Sequence, residues 1–210
     1  MQLSANMVRD RLAHMKPRLT NCSLETSRKG QNAVGELMRA VRHGQARVKH
    51  HDFENFQGAW VLPNDPRRDG VILYLHGGGY TCGGLEYALG FGTTLADECG
   101  AKVFCAAYRL APENPFPAAV EDAAWAYRYL LKKGYAPKKI CLCGESAGGG
   151  LCFALCLYLR QQGLPLPGSI VAISPWTDLT FSGRSFETNL ECDVSLSREQ
   201  LGFYAQCYSG

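Results

Sequence analysis

The chain has 210 residues and a mass of 23.0 kDa, room for one large domain or two small ones, and 46% hydrophobic against 20% charged residues is the balance of a globular protein. This excludes intrinsic disorder and a purely structural repeat. Twenty-two Lys and Arg against nineteen Asp and Glu leave +3, too small and scattered a surplus for the basic stripe of a nucleic-acid binder, so no nucleic-acid partner is expected.

From Met1 to about Gly44 the chain is polar, with apolar residues at Val8, Leu12 and Met15 and again at Val34, Leu37, Met38 and Val41. These helical spacings predict two amphipathic helices. Arg47 to Phe53 and Gln57 to Leu62 read as strands, closed by the turn formers Pro63-Asn64-Asp65-Pro66. Beyond the turn, apolar runs at Val71–Leu75, Val103–Ala107, Ile140–Cys143 and Ser169–Ile173 alternate with helical stretches near Tyr87–Cys99, Ala118–Lys133, Ala147–Gln162 and Arg198–Cys207. Short runs apolar on both faces and separated by helices are the mark of parallel strands covered on both sides. The expected fold is a doubly wound, mostly parallel α/β sheet, with residues 1–46 forming a helical segment ahead of a core at 47–210.

Ten cysteines raise the question of a disulfide framework, but the amino terminus carries Arg9, Asp10 and Arg11 and has no apolar stretch of signal-peptide type. Cys105, Cys141, Cys143, Cys152 and Cys156 fall in the most apolar segments, where a thiol acts as a small hydrophobe, so a cytoplasmic chain with reduced cysteines is expected. A metal site from Cys141, Cys143, Cys152 and Cys156 is the alternative: each pair shares a face, yet there is no CxxC spacing and no nearby histidine. The longest uncharged apolar run, Ala147 to Leu159, is well short of the ~20 residues that span a bilayer. No membrane span is predicted.

Two motifs carry chemistry. Gly144-Glu145-Ser146-Ala147-Gly148 sits between a predicted strand and a predicted helix. A serine on so sharp a turn is strained, and flanking glycines remove the Cβ atoms that would collide there. Its hydroxyl is then held out over the sheet as a nucleophile, and the N–H of Ala147, at the positive end of the following helix, points where an oxyanion would develop. His76-Gly77-Gly78-Gly79 follows the strand Val71–Leu75, so the amides of Gly78 and Gly79 can complete that oxyanion hole. A phosphate loop is disfavoured because neither GxxxxGK[ST] nor GxGxxG occurs.

These residues, with Tyr108-Arg109-Leu110-Ala111-Pro112-Glu113, Pro115-Phe116-Pro117-Ala118-Ala119 and Ser174-Pro175-Trp176-Thr177-Asp178-Leu179, resemble the hormone-sensitive-lipase-like (family IV) carboxylesterases. The resemblance runs from about Arg47 to the carboxy terminus, with the motifs in family order. It implies an α/β-hydrolase fold, a nucleophile at Ser146, oxyanion donors at Gly78, Gly79 and Ala147, and a helical cap built partly from the amino-terminal segment. Tyr108, at the end of its strand, is expected to line the substrate crevice. An internal ion pair of Arg109 with Glu113 is expected to brace the Pro-rich turn. Asp122, early in a helix, suits the dipole there.

The family completes its site with an acid and then a histidine downstream of Ser174–Leu179, and the chain reaches Gly210 with no histidine after His76. His76 reads as a structural residue of the glycine loop, His50 and His51 as surface residues, and Asp178 as a structural residue after its strand, while Asp193 has no motif support. Loss of the histidine alone costs a serine hydrolase roughly 10⁶ in turnover, and oxyanion hole and pocket together retain about 10³ to 10⁴ over water. The expectation is therefore a short-acyl carboxylesterase by descent, truncated, lacking its last strands and helices, and feebly active as 210 residues. Self-association through the uncovered edge of Ser169–Ile173 is expected with it. The alternative is a non-catalytic small-molecule-binding module, as in the plant gibberellin receptors of the same family. No metal or organic cofactor is expected, because serine acyl transfer needs only dipoles and a base.

Overall fold

The computed structural model describes residues 4–20, 22–189 and 191–210, and the first three residues of the predicted cap segment lie outside these. Both amino-terminal helices form, α1 over Ala5–Thr20 and α2 over Leu24–Val41. Ser23 starts α2 as its N-cap, its hydroxyl accepting from the Thr26 N–H at 3.2 Å. Next come β1 (Ala46–Asp52), β2 (Gln57–Pro63), β3 (Val71–Leu75), α3 (Leu85–Cys99), β4 (Lys102–Ala107), α4 (Ala118–Lys132), β5 (Ile140–Glu145), α5 (Ala147–Gln161) and β6 (Ser169–Ile173). The chain continues through α6 (Ser185–Thr188) and α7 (Arg198–Ser209). The short α6 and a 3-10 turn at Pro137–Lys139 are additions to the sequence reading, since neither is long enough to show a period.

The six strands form one sheet in the order β1-β2-β4-β3-β5-β6. β1 and β2 are antiparallel, β2 joins β4 antiparallel, and β4, β3, β5 and β6 run parallel. The chain leaves β3 toward β4 on one side and returns to β5 on the other. The crevice at the carboxyl ends of β3 and β5 is thus the switch point where open α/β sheets bind ligands.

Alternation along the central strands splits the core between two layers. Leu73 and Leu75 of β3, Phe104 of β4 and Leu142 of β5 pack with Ala123, Tyr127 and Leu130 of α4 and Leu151 and Leu155 of α5. Tyr74, Val103, Cys105 and Cys143 face the other way, onto Ala88, Leu89 and Ala96 of α3. Each fully buried large apolar side chain contributes roughly 1.5–3 kcal/mol. Outside α3 lies α2, brought close because Gly35 has no Cβ to collide with the Glu86 carbonyl and the Tyr87 Cα.

The cysteines in these layers are free thiols, and Cys105, Cys143 and Cys152 are fully buried. Among the described residues, no group of three or more His, Cys, Asp or Glu side chains is arranged to hold a metal ion, and no helix is long and apolar enough to cross a membrane. The far edge of the sheet is different in character. In β6, Val171 and Ile173 are 51% and 46% exposed, and on the neighbouring α5 Phe153 and Leu157 also face solvent.

Candidate active site

Ser146 stands between β5 and α5 with φ +52° and ψ −120°, a backbone conformation that L side chains rarely adopt. The strain is held by three backbone hydrogen bonds: the Ser146 N–H donates to the Ile173 carbonyl at 3.0 Å, and the Ser146 carbonyl accepts from Gly150 and Trp176. The flanking glycines are required by contact. A Cβ on Gly148 would run into the Leu75 and His76 carbonyl oxygens, and one on Gly144 into the Gly148 carbonyl. Ala147, fully buried, heads α5, where the first N–H groups have no intrahelical acceptor.

The glycine loop after β3 meets the serine at the same crevice. Gly78 and Gly79 have φ of +118° and +61°, and a Cβ on Gly78 would overlap the Cys82 carbonyl. The loop closes on itself through the Thr81 and Cys82 N–H groups, which both donate to the Gly78 carbonyl. Gly77, Gly78, Gly79, Glu145 and Ser146 together border a cavity of about 770 Å³.

The side chains under this loop act as props. Glu145 accepts from the Gly77 N–H and from the Tyr74 hydroxyl, so the residue before Ser146 ties the serine turn to the glycine loop. Burial pushes its carboxyl above the usual range, against these hydrogen bonds. His76 is fully buried and stacked on Tyr108 with ring centroids 4.3 Å apart. Its Nδ1 lies 2.7 Å from the Gly77 carbonyl, which can only accept, so Nδ1 carries the proton. Desolvation pushes the imidazole down to about 4, leaving it neutral at pH 7.

Two expectations are corrected. Tyr108 is 2% exposed and does not border the cavity; its hydroxyl donates to the His76 carbonyl at 2.6 Å, so it supports the glycine loop from below. A strand-end residue can point either into the crevice or under the adjoining loop, and here the loop covers it. The ion pair of Arg109 with Glu113 does not form. Arg109 instead grips the buried Asp122 with its backbone N–H, Nε and Nη2 at 2.8–3.0 Å, and Glu113 pairs with Arg28 of α2.

Asp178 accepts from the backbone and hydroxyl groups of Thr180 and Ser182, which hold its carboxyl well below the usual range; it shapes a turn. Asp193 does the same for Ser195 and Leu196 ahead of α7. His50 and His51 lie in β1, and His51 stacks on Tyr129 of α4. Among the described residues no histidine borders the cavity.

The remaining walls come from α2 and α7, which carry no motif, and from the Ser174–Leu179 segment after β6. Gln31 and Val34 of α2, Trp176 after β6, and Leu201 and Tyr204 of α7 line the cavity, with the Tyr204 ring lying against Gly79. For the helical residues the sequence signal is the amphipathic pattern of α2 and α7; for Trp176 it is the motif in which it stands. The arrangement presents a strained serine hydroxyl, a cluster of backbone N–H groups and a largely apolar pocket, the equipment for attack on a carbonyl and stabilisation of the resulting oxyanion.

Comparison with known proteins places the chain in a family and a fold. Residues 72–210 match a family model described as alpha/beta hydrolase fold. The chain is 45% identical over 150 residues to an acetyl-hydrolase of Streptomyces hygroscopicus, covering 71% of this chain and 50% of that protein. It is 37% identical over 125 residues to the hormone-sensitive lipase of Homo sapiens, covering 57% of this chain and 12% of that one. Among solved structures, EstE5 soaked with p-nitrophenyl butyrate superposes with a TM-score of 0.86 at 35% identity, over 96% of this chain and 67% of that chain. An esterase from the bacterial hormone-sensitive lipase family gives 0.85 at 35%, over 99% and 70%. The chain thus spans about half the length, or less, of the curated relatives it matches.

Proposed function

Because the chain belongs to the alpha/beta hydrolases and, among them, to the hormone-sensitive-lipase-like carboxylic ester hydrolases, we propose that it cleaves short-acyl carboxylic esters through an acyl-enzyme on Ser146. The observation that carries this reading is the meeting of a serine at φ +52° with the Gly78 and Gly79 loop at one cavity. Ser146 Oγ attacks the ester carbonyl carbon, and the carbonyl electron pair moves onto oxygen, held by the N–H groups of Gly78, Gly79 and Ala147. Collapse of that adduct breaks the carbon–alkoxy bond and leaves the acyl group on Ser146, which water then removes. The serine proton needs an acceptor. In family pattern that is a histidine held by an acid, and since no histidine borders this cavity, the 210 residues carry the nucleophile and oxyanion half and hydrolyse feebly alone.

A short acyl group is supported by the relatives: one is named an acetyl-hydrolase, and the EstE5 crystal was soaked with a butyryl ester. In this reading residues 1–46 act as cap and 47–210 as core, because α2 supplies Gln31 and Val34 to the wall of a cavity floored by the core. Free buried thiols fit a reducing, cytoplasmic setting. The exposed apolar residues of β6 and α5 make self-association the expected behaviour.

The deciding experiment is hydrolysis of p-nitrophenyl acetate, butyrate and octanoate by the wild-type chain and by Ser146→Ala at matched concentration. The expected result is a slow rate, fastest on the two shorter esters, that disappears in the variant. Equal rates in both proteins would remove Ser146 from the chemistry.

A further inference from the structure

We propose that Arg28, on cap helix α2, is a positioning residue for the oxyanion loop, holding Gly78 and Gly79 in place from outside the core. This rests on the oxyanion assignment made above for those two glycines.

The guanidinium spends its donors on three segments at once. Nε donates to the Thr81 carbonyl at 2.7 Å, Nη2 to the Ala111 carbonyl at 2.9 Å, and Nη1 and Nη2 form a fork on the Glu113 carboxylate at 2.8 and 2.7 Å. Thr81 and Ala111 are both fully buried. The fork on Glu113 alone would be worth little, since the two side chains are 27% and 56% exposed. The bonds to backbone are what give Arg28 its leverage. Thr81 is the residue whose N–H closes the turn onto the Gly78 carbonyl, and the Ala111 N–H donates to the Tyr80 carbonyl inside the same loop. Fixing the Thr81 and Ala111 carbonyls therefore clamps the loop at its own turn and at its bond to the Pro-rich segment. One turn further along α2, the Gln31 amide lies against Gly78, so the same helix face seats on the loop twice.

The planar fork suits this task and an ammonium does not, because two of the acceptors are met in fixed directions by one rigid group. Removing an oxyanion donor outright costs about 10² to 10³ in turnover. Letting both donors drift costs part of that, so Arg28→Ala is expected to lower the Ser146-dependent kcat about tenfold with KM within about twofold. Arg28→Lys restores the charge without the fork and falls between. Glu113→Gln keeps both backbone bonds and loses less than about threefold.

The test pairs these rates with amide hydrogen exchange on the same proteins. In Arg28→Ala the hydrogen-bonded amides of Thr81, Cys82 and Ala111 are expected to exchange at least about tenfold faster while those of β3 and β4 keep their wild-type rates. Guanidinium ion added at millimolar concentration is expected to restore both loop protection and kcat. Wild-type exchange at Thr81, Cys82 and Ala111 in Arg28→Ala overturns the proposal even if hydrolysis falls, and so does a loss that guanidinium leaves unrepaired. If Arg28→Ala does not fold, Arg28→Lys decides, and loop exchange in it equal to wild type overturns the proposal. A wild-type chain with no Ser146-dependent hydrolysis ends the esterase reading, and loop exchange still decides whether Arg28 clamps the loop.

Discussion

The two sides of β5 are built to different standards. Toward β3, the serine turn and the glycine loop are held by hydrogen bonds that Glu145 accepts from Gly77 and Tyr74 and that Tyr108 donates to His76, with the His76 ring stacked beneath. Toward β6, the strand alternates between exposed and half-buried residues, and Val171 and Ile173 meet solvent. The contrast separates two kinds of catalytic part. Oxyanion donors are backbone amides, and a short loop fixed by its neighbours is enough to aim them. A proton relay needs side chains, and these must be positioned by packing between elements rather than within one loop.

The sharpest way to break the comparison is to load the well-packed side. Gly148→Ala is expected to lower unfolding stability in urea by about 3 kcal/mol, because the new Cβ meets two backbone carbonyls that cannot move without displacing β3. A change below about 1 kcal/mol would mean the turn is looser than its geometry indicates.

Acid addresses the same side through His76. Its folded-state pKa is about 4 against an ordinary 6.5, so the fold prefers the neutral ring. The stability this represents is fully present above pH 6.5 and is lost as pH falls toward 4, by at most about 3 kcal/mol. Glu113, held down to about 2 by Arg28, loses its contribution only below its ordinary 4.5, so the upper part of the window belongs to His76. Urea midpoints measured from pH 7 to pH 4 should fall in the wild type and fall less steeply in His76→Gln. Parallel curves would exclude His76 as the group responsible.

The smallest expected effect lies on the other side. The double variant Val171→Ser with Ile173→Ser should change stability by no more than about 0.5 kcal/mol, since both side chains are about half exposed. It should nevertheless reduce the mass seen by light scattering at high concentration. A wild-type chain that stays monomeric there would show that this apolar edge is not adhesive.

Legibility in the sequence followed the range of the interactions involved. Ser146, Gly78, Gly79 and the strand-helix alternation were readable because a strained turn and a period of two or 3.6 each leave their mark within a few neighbouring residues. The strand Ser169–Ile173 was readable for the same reason, whereas its uncovered edge was expected from the resemblance. Tyr108 was misplaced because its position beneath the loop depends on where the His76 carbonyl goes, and Arg109 was assigned the nearer acid although Asp122, one helix later, is the buried one.

Taken alone, the 210 residues determine an α/β sheet, the strained serine turn and the glycines that surround it, because backbone strain can be relieved only by particular local residue types. The tertiary structure alone decides which side chains meet: Glu145 with Gly77, Arg109 with Asp122, Arg28 with Glu113 across 85 positions of chain. Such pairs are selected by packing between elements, and a hydrogen bond that links distant segments leaves no pattern in the residues around either partner.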